Sequence, residues 1–328
     1  MVFDLVIIGG GAAGLFAGTQ ASEAGLNFCI LESMKECGLK LLASGSGQCN
    51  LTQGCKIAEF PAKYGQAFRF VKPALFGFDN KALISYFEKQ GLPCADRGDG
   101  KFFPASRKSR DVRDLLLALC RKGGQIRWKQ RVLSLVKEDN IFLIRSDTEL
   151  FRAKNVLLAS GGQSYTGTGS TGEAYNLPRS LGHTLVPPRP ALTPVFINPF
   201  PLMICSGTAL SVSIDLFRKG QKSASFNGDL LITHKGFSGP VILNNSRIME
   251  EGDELRLCWL PDMNRDALDQ EILERIQYSG KKTARSGLAR KELTDALTKA
   301  LLDRAGIDPE KKISQLIRKD RISWLNTL

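Results

Sequence analysis

A chain of 328 residues with an ordinary globular composition has room for roughly two domains and a substantial core, and none of its apolar runs reaches the roughly 20 residues that span a membrane. Two histidines, His183 and His234, and eight cysteines without a Cys-x-x-Cys pair argue against a histidine-rich metal centre, zinc and thioredoxin-like chemistry, and fit a cytoplasmic protein with reduced thiols. The formal charge of +12 suits a polyanionic partner such as RNA, and equally a well-solvated surface.

Residues 4–8, DLVII, read as a short buried strand. Asp4 stands where a signal peptide would carry positive charge, so this stretch reads as a structural strand. The turn GGGAAG follows at 9–14, then a helical pattern to Gly25, then an apolar run at 28–31 closed by Glu32. Strand, glycine turn, helix, strand and acid make the dinucleotide fingerprint in its required context. Gly9 permits the turn, Gly11 lets the backbone approach a pyrophosphate, and Gly14 lets the helix pack on the sheet. Ala12 and Ala13 open the helix, whose free N–H groups and dipole favour an anion by about 0.3–1 kcal/mol. Glu32 is placed to accept from ribose hydroxyls, and its charge argues against NADP at this site.

Residues 35–55 are irregular and glycine-rich. Within them, Gly45 and Gly47 allow a backbone to lie against a flat ligand, while Ser44, Asn50 and Thr52 offer donors; a plain surface loop is the alternative. Residues 82–90 and 111–122 have the spacing of amphipathic helices. Eleven bases lie between Arg97 and Arg131 against Asp99, Asp111 and Asp114, and a second basic region includes Lys281, Lys282, Arg285, Arg290 and Lys291. Residues 125–136 and 141–145 read as strands, and 155–160 as a buried strand stopped by Gly161 and Gly162. The following GTGSTG at 167–172 is either a second wall of backbone amides for the same ligand or a turn between domains. The proline run over 187–201 marks a boundary. Beyond it, 210–216, 229–233 and 255–259 suggest a mostly β domain, and 265–328 reads as helical with breaks at Gly280, Gly287 and Gly306. His234, in the block THKGFSGP, reads more readily as structural than catalytic.

Five blocks together resemble the BaiN/RdsA family of FAD-dependent oxidoreductases: the fingerprint with Glu32, the loop SGSGQCNLT, Phe103-Pro104 before a helix, the segment GGQSY…GSTG…GH ending at His183, and THKGFSGP. The resemblance implies an α/β fold, with a Rossmann-like FAD-binding domain over 1–186 and an inserted, mostly β domain carrying a helical segment over 187–328. It implies FAD in the fingerprint. Gly9, Gly11, Ala12, Ala13, Gly14 and Glu32 hold the ADP half, and Val132 flanks the adenine. Ser160, Gly161 and Gly162 pass near the pyrophosphate, and Lys40, Ser44, Gly45, Gly47, Asn50 and Thr52 lie along the flavin. Three departures stand out: Gln48 replaces a usual arginine, Thr166 a usual proline, and the chain stops at Leu328 where relatives continue into a final strand and a glycine-rich return segment. The expectation is a C-terminally truncated domain. Loss of about three backbone donors at roughly 1 kcal/mol each weakens FAD on the order of a hundredfold.

Three functions follow as expectations. The first is a reductase passing hydride from NAD(P)H through the flavin to a uridine of ribosomal RNA, with Cys49 as candidate proton donor. The second is a small-molecule flavin oxidase or dehydrogenase, acting on an amine or a steroid-like enone. The third is an inactive remnant or a basic RNA-binding scaffold.

Overall fold

The computed structural model describes residues 1–328 apart from the side chains of Ala62 and Gln66, and it divides into two units, Met1–Val186 and Pro187–Leu328.

The first unit opens with β1 (Phe3–Ile8), α1 (Ala12–Glu23) and β2 (Phe28–Glu32), with β1 and β2 parallel in the register Leu5↔Phe28 to Ile8↔Leu31. Then come α2 (Leu39–Ala43), β3 (Thr52–Gln53), α3 (Phe60–Tyr64), α4 (Phe68–Gly77), α5 (Asn80–Lys89), β4 (Cys94–Asp96) and β5 (Lys101–Pro104). The unit continues with α6 (Ser109–Gly123), β6 (Gly124–Trp128), β7 (Val132–Glu138), β8 (Ile141–Ser146), β9 (Leu150–Leu158) and α7 (Asn176–Ser180). Six strands make one sheet in the order β6-β2-β1-β9-β8-β7, and β3-β5-β4 make a small second one. The β6-β2-β1-β9 stretch is parallel, and β9-β8-β7 is an antiparallel meander.

Period-two alternation sorts the central strands between two cores. Ile7, Phe28 and Ile30 pack on one face with Leu15, Val112, Leu116 and Cys120 from α1 and α6. Val6, Ile8, Cys29 and Leu31 pack on the other with Leu135, Ile144 and Phe151 of the meander. The expected strand over 125–136 is two strands. Lys129 takes a left-handed conformation (φ 56), and its N–H donates to Met34 O at 3.2 Å. Gln130 N–H then donates to Glu32 O at 2.9 Å, so the chain folds over the end of β2 before starting β7. The expected strand at 155–160 starts earlier, at Leu150, and ends at Leu158. The two expected helices are α5, capped by Asp79 Oδ1 accepting from Ala82 N at 2.8 Å, and α6.

The second unit has β10 (Val195–Phe196), β11 (Ala209–Arg218), β12 (Gln221–Ile232), β13 (Gly236–Ser238), α8 (Pro240–Leu243) and β14 (Glu254–Cys258). Its antiparallel sheet has the order β10-β13-β12-β11-β14. Then follow α9 (Arg265–Tyr278), α10 (Ala284–Gly287), α11 (Asp295–Ala305) and α12 (Arg318–Thr327). Val212, Ile214, Leu230 and Ile232 share a core with Leu268, Ile272, Leu297, Leu301 and Trp324. Asn264 and Thr294 cap α9 and α11, and Gly306 (φ 72) ends α11, satisfying terminal backbone groups as short polar side chains and glycine do. Among the described residues no helix is long and apolar enough to cross a membrane.

Candidate functional site

The carboxyl ends of β1, β2 and β9 open onto a cleft of about 640 Å³, all of it within the first unit. That volume lies in the range of cofactor and small-molecule sites, and strand ends are where open parallel sheets bind ligands.

Each glycine of the first turn meets a different constraint. Gly9 has φ +107, and a Cβ there would sit 2.5 Å from Ala159 O. At Gly14 a Cβ would sit 1.8 Å from Gly9 O, so the missing side chain is what lets α1 lie on the strand end. Gly11 is the opposite case: a Cβ would meet nothing within 4 Å, and the residue lines the cleft. No side chain caps α1, and the first backbone bond of the helix runs from Leu15 N to Gly11 O at 2.9 Å. The amides of Ala12 and Ala13, both on the cleft wall, therefore present the positive end of a twelve-residue helix.

Glu32 is 8% exposed, and its carboxylate braces the turn. Oε2 accepts from Gly10 N at 2.8 Å; Oε1 accepts from Met34 N at 2.8 Å and from Ser33 Oγ at 3.3 Å. An ionised carboxylate oxygen accepts two bonds. Glu32 lines the cleft, and Oε2 has capacity for one further donor.

The loop after β2 supplies the opposite wall. Lys40, Ser44, Cys49 and Asn50 line the cleft. Glu36 is paired with Arg113 at 3.3 Å and Arg131 with Glu173 at 3.1 Å, so among the described lining residues Lys40 is the cation without an ion-pair partner. From β9 come Ala159, Ser160 and Gly161, and beyond them Thr168 to Ala174 form a further wall. Gly161 (φ +78) lies close to two of these groups. A Cβ there would stand 2.8 Å from Ser170 Oγ and 3.8 Å from Lys40 Nζ. Val132 also lines the cleft, beside Gln130 and Arg131.

Five of the residues expected at the site stand outside its lining. Gly14 serves helix packing, as its expected role required. Gly45 (φ 56) and Gly47 (φ 85) shape the loop: a Cβ at Gly45 would meet Asn50 N at 2.9 Å. Thr52 is drawn into β3 opposite Phe102. Gly162 lies beside Tyr175, whose hydroxyl would be 3.3 Å from a Cβ. Conversely, Ser33, Glu36, Gly38, Gln130 and Arg131 line the cleft without having been singled out. Their signal was position: each flanks a strand end or the glycine-rich loop.

Cys49 is 5% exposed and held in a left-handed conformation (φ 61). Burial pushes its thiol pKa up, partly offset by a hydrogen bond from Ser44, so it is protonated at neutral pH. In the same turn Gln48 Oε1 is buried with no hydrogen-bond partner. Both histidines are exposed, and among the described residues no three His, Cys, Asp or Glu gather as a metal site.

The chain matches the family model described as "HI0933-like protein Rossmann domain" over residues 3–315. It is 28% identical to a ribosomal RNA dihydrouridine synthase of Escherichia coli (strain K12), across 99% of the chain and 80% of that protein. A protein of the same name from Haemophilus influenzae is 29% identical across 87% of the chain and 70% of its own length. A 3-dehydro-bile acid delta(4,6)-reductase of Clostridium scindens is 34% identical across 78% of the chain and 64% of its own length.

Proposed function

The chain belongs to the HI0933-like Rossmann family of flavin-dependent oxidoreductases, and from that premise we propose that it binds FAD in the cleft of the first unit and reduces a uridine of ribosomal RNA with hydride from NAD(P)H. The observation that carries the cofactor assignment is the open cradle at Gly11, at the uncapped start of α1. A pyrophosphate needs close backbone approach and N–H donors, and both converge there. The two names of ribosomal RNA dihydrouridine synthase among its relatives, and the charge of +12, support the acceptor.

FAD supplies the relay of hydride from nicotinamide to acceptor. The protein's part is binding, orientation and proton handling. The Ala12 and Ala13 amides and Gly161 take the pyrophosphate, Glu32 Oε2 the adenosine ribose, and Val132 the adenine side. Lys40, Ser44 and Asn50 border the flavin side, where Lys40 offers positive charge to a ring that gains electron density. Cys49 holds a proton at Sγ beside that wall, and an acceptor that takes up hydride at one carbon needs a proton at the next. An apolar arc of Leu51, Leu83, Phe87 and Val112 excludes water from one side.

Titration of the purified chain with FAD, followed by flavin absorbance and fluorescence quenching, tests the first step. Stoichiometric quenching is expected; no binding at accessible concentrations removes the cofactor reading. NAD(P)H oxidation that depends on added ribosomal RNA is expected next. Oxidation driven by a steroid-like enone and indifferent to RNA replaces the uridine reading with a small-molecule one, the direction in which the bile-acid reductase points. Cys49→Ala is expected to lower turnover on the order of a hundredfold, the scale of general-acid catalysis, with FAD affinity unchanged. Full turnover in that variant ends the role of Cys49.

A further inference from the structure

The segment from Phe60 to Phe78 contains six aromatic residues, three cations (Lys63, Arg69, Lys72) and no acid. It holds α4, none of whose side chains is buried. Phe70 is 90% exposed and Phe76 53%; among the described phenylalanines only Phe196 is also more than half exposed. A ten-residue helix with Pro73 inside it and no buried face has little of its own to hold it in water. Such a surface needs a partner.

Its internal arrangement indicates which one. Phe68, Lys72 and Phe76 fall at i, i+4 and i+8 and share one stripe of the helix. Phe68 and Phe76 meet edge to face at 6.5 Å, and Lys72 Nζ lies 5.6 Å from the Phe76 ring centre. The cation is therefore set among the rings. A helix lying in a membrane surface keeps its bases clear of its aromatic rings, whereas here Lys72 lies over the Phe76 ring. Rings interleaved with cations match a single nucleic-acid strand, whose bases stack on aromatic faces while its phosphates meet Lys and Arg.

The platform also reaches the cleft. Phe78, just past α4, packs its ring 5.5 Å from Phe16, and Phe16 is part of the cleft wall. Phe16 in turn meets Tyr86 of α5 at 5.0 Å. Phe78, two residues beyond Phe76, thus ties the end of α4 to the cleft wall.

We propose that α4 and the turn after it form a docking platform for single-stranded RNA, presenting a splayed strand at the edge of the cleft. This rests on the reading that the acceptor is a base in RNA. The phosphates pair with Arg69 and Lys72 and a base stacks on Phe76 beside them, while Phe70, on the other side of the helix, takes a base from a strand that wraps around α4.

The test uses the full chain and a fluorescently labelled single-stranded RNA of about 12 nucleotides, within the usual site size of such surfaces. Anisotropy is read at several salt concentrations for wild type, Phe70→Ala/Phe76→Ala and Arg69→Gln/Lys72→Gln. The ring variant is expected to bind about a hundredfold more weakly, near tenfold for each stacked base lost. The charge variant is expected to reduce the slope of log K against log salt by about 1.4, the share of two phosphates on a single strand. Both variants should titrate with FAD as wild type does, since neither pair belongs to the cleft. Wild-type-like RNA binding by both variants overturns the platform, as does failure of the wild type to bind RNA. So does binding to phosphatidylglycerol vesicles, or self-association in sedimentation, that the variants abolish while RNA binding is unchanged. Ring-dependent RNA binding by a chain that takes up no FAD would remove the cofactor reading and leave the platform standing. RNA-dependent NAD(P)H oxidation with an unchanged KM for RNA in the ring variant would do the reverse.

Discussion

Alanine at Gly11 is expected to leave the first unit folded and abolish FAD binding, whereas alanine at Gly14 is expected to disrupt the fold itself. The two positions lie three residues apart in one turn, yet their surroundings are opposite. A methyl group at Gly14 would stand 1.8 Å from Gly9 O, 3.0 Å from Gly9 C and 3.3 Å from Ile7 Cγ2. The two nearest are backbone atoms just past the end of a central strand, and they have nowhere to move. Overpacking of this kind costs 1–3 kcal/mol and occasionally more; with a carbonyl as the obstacle, roughly 3 kcal/mol or above is expected, a fall of about 10 °C in Tm. At Gly11 the backbone is ordinary (φ −76) and no atom lies within 4 Å. The stability cost there is that of alanine at a helix start, about 1 kcal/mol. The same methyl occupies the space the pyrophosphate needs, and a loss of at least about a hundredfold in FAD affinity follows, near 2.7 kcal/mol. Thermal melts and flavin titrations of both variants check this. Wild-type FAD affinity in Gly11→Ala, or an undisturbed melt in Gly14→Ala, would contradict it.

The first unit is also expected to lose stability steeply above about pH 9. Burial pushes the thiols of Cys29, Cys37 and Cys120 from 9.0 up to about 12. Between those values the folded chain keeps these three protons, and over most of the range that of Cys94, pushed up to about 11, all of which the unfolded chain releases. Stability changes with pH as the protons bound in the unfolded state minus those in the native state, so here it falls as pH rises. Each thiol contributes at most about 1.4 kcal/mol per pH unit, and the three together roughly 4. Against the 5–15 kcal/mol of a typical domain, unfolding is expected before about pH 12. Urea midpoints measured from pH 8 to 11 test the slope, and Cys120→Ala should flatten it by at most about 1.4 kcal/mol per pH unit. A midpoint constant across that range would show that these thiols are not held neutral by the fold.

The parts of this fold that could be read from the sequence are those whose pattern is local. The strand, turn, helix and acid of residues 4–32 declare themselves because each glycine answers a steric need within the same segment. The helices α5 and α6 follow from apolar spacing, and α9 and α11 fall within the stretch 265–328 that reads as helical. The small sheet β3-β5-β4 was not legible, since strands of two to four residues are too short for a period and exist only through one another. The first half of β12, QKSASFNG, was missed because it carries few apolar residues; its pairing with β11 decides it. At the site, Gly45, Gly47 and Thr52 belong to the loop that borders the cleft but stand outside its lining, and what the sequence hid was which way that loop turns. Arg131 and Gln130 enter the cleft only because Lys129 reverses the chain beside Met34.

The place of β1 between β2 and β9 has a consequence for synthesis on the ribosome. The nascent chain can zip β1 to β2 within moments of their emergence. The other edge of β1 must wait for Leu150 and the strand it starts, roughly 6–25 s at translation speeds of about 5–20 residues per second. For that interval the row of peptide groups along FDLVII is an unpaired, apolar edge, the kind that recruits foreign strands. The cofactor cannot shorten the wait. Its cradle draws on both Gly11 and Gly161, so it is complete only once both have been made. Flavin can therefore stabilise only a nearly completed first unit, and protection of the early chain falls to chaperones.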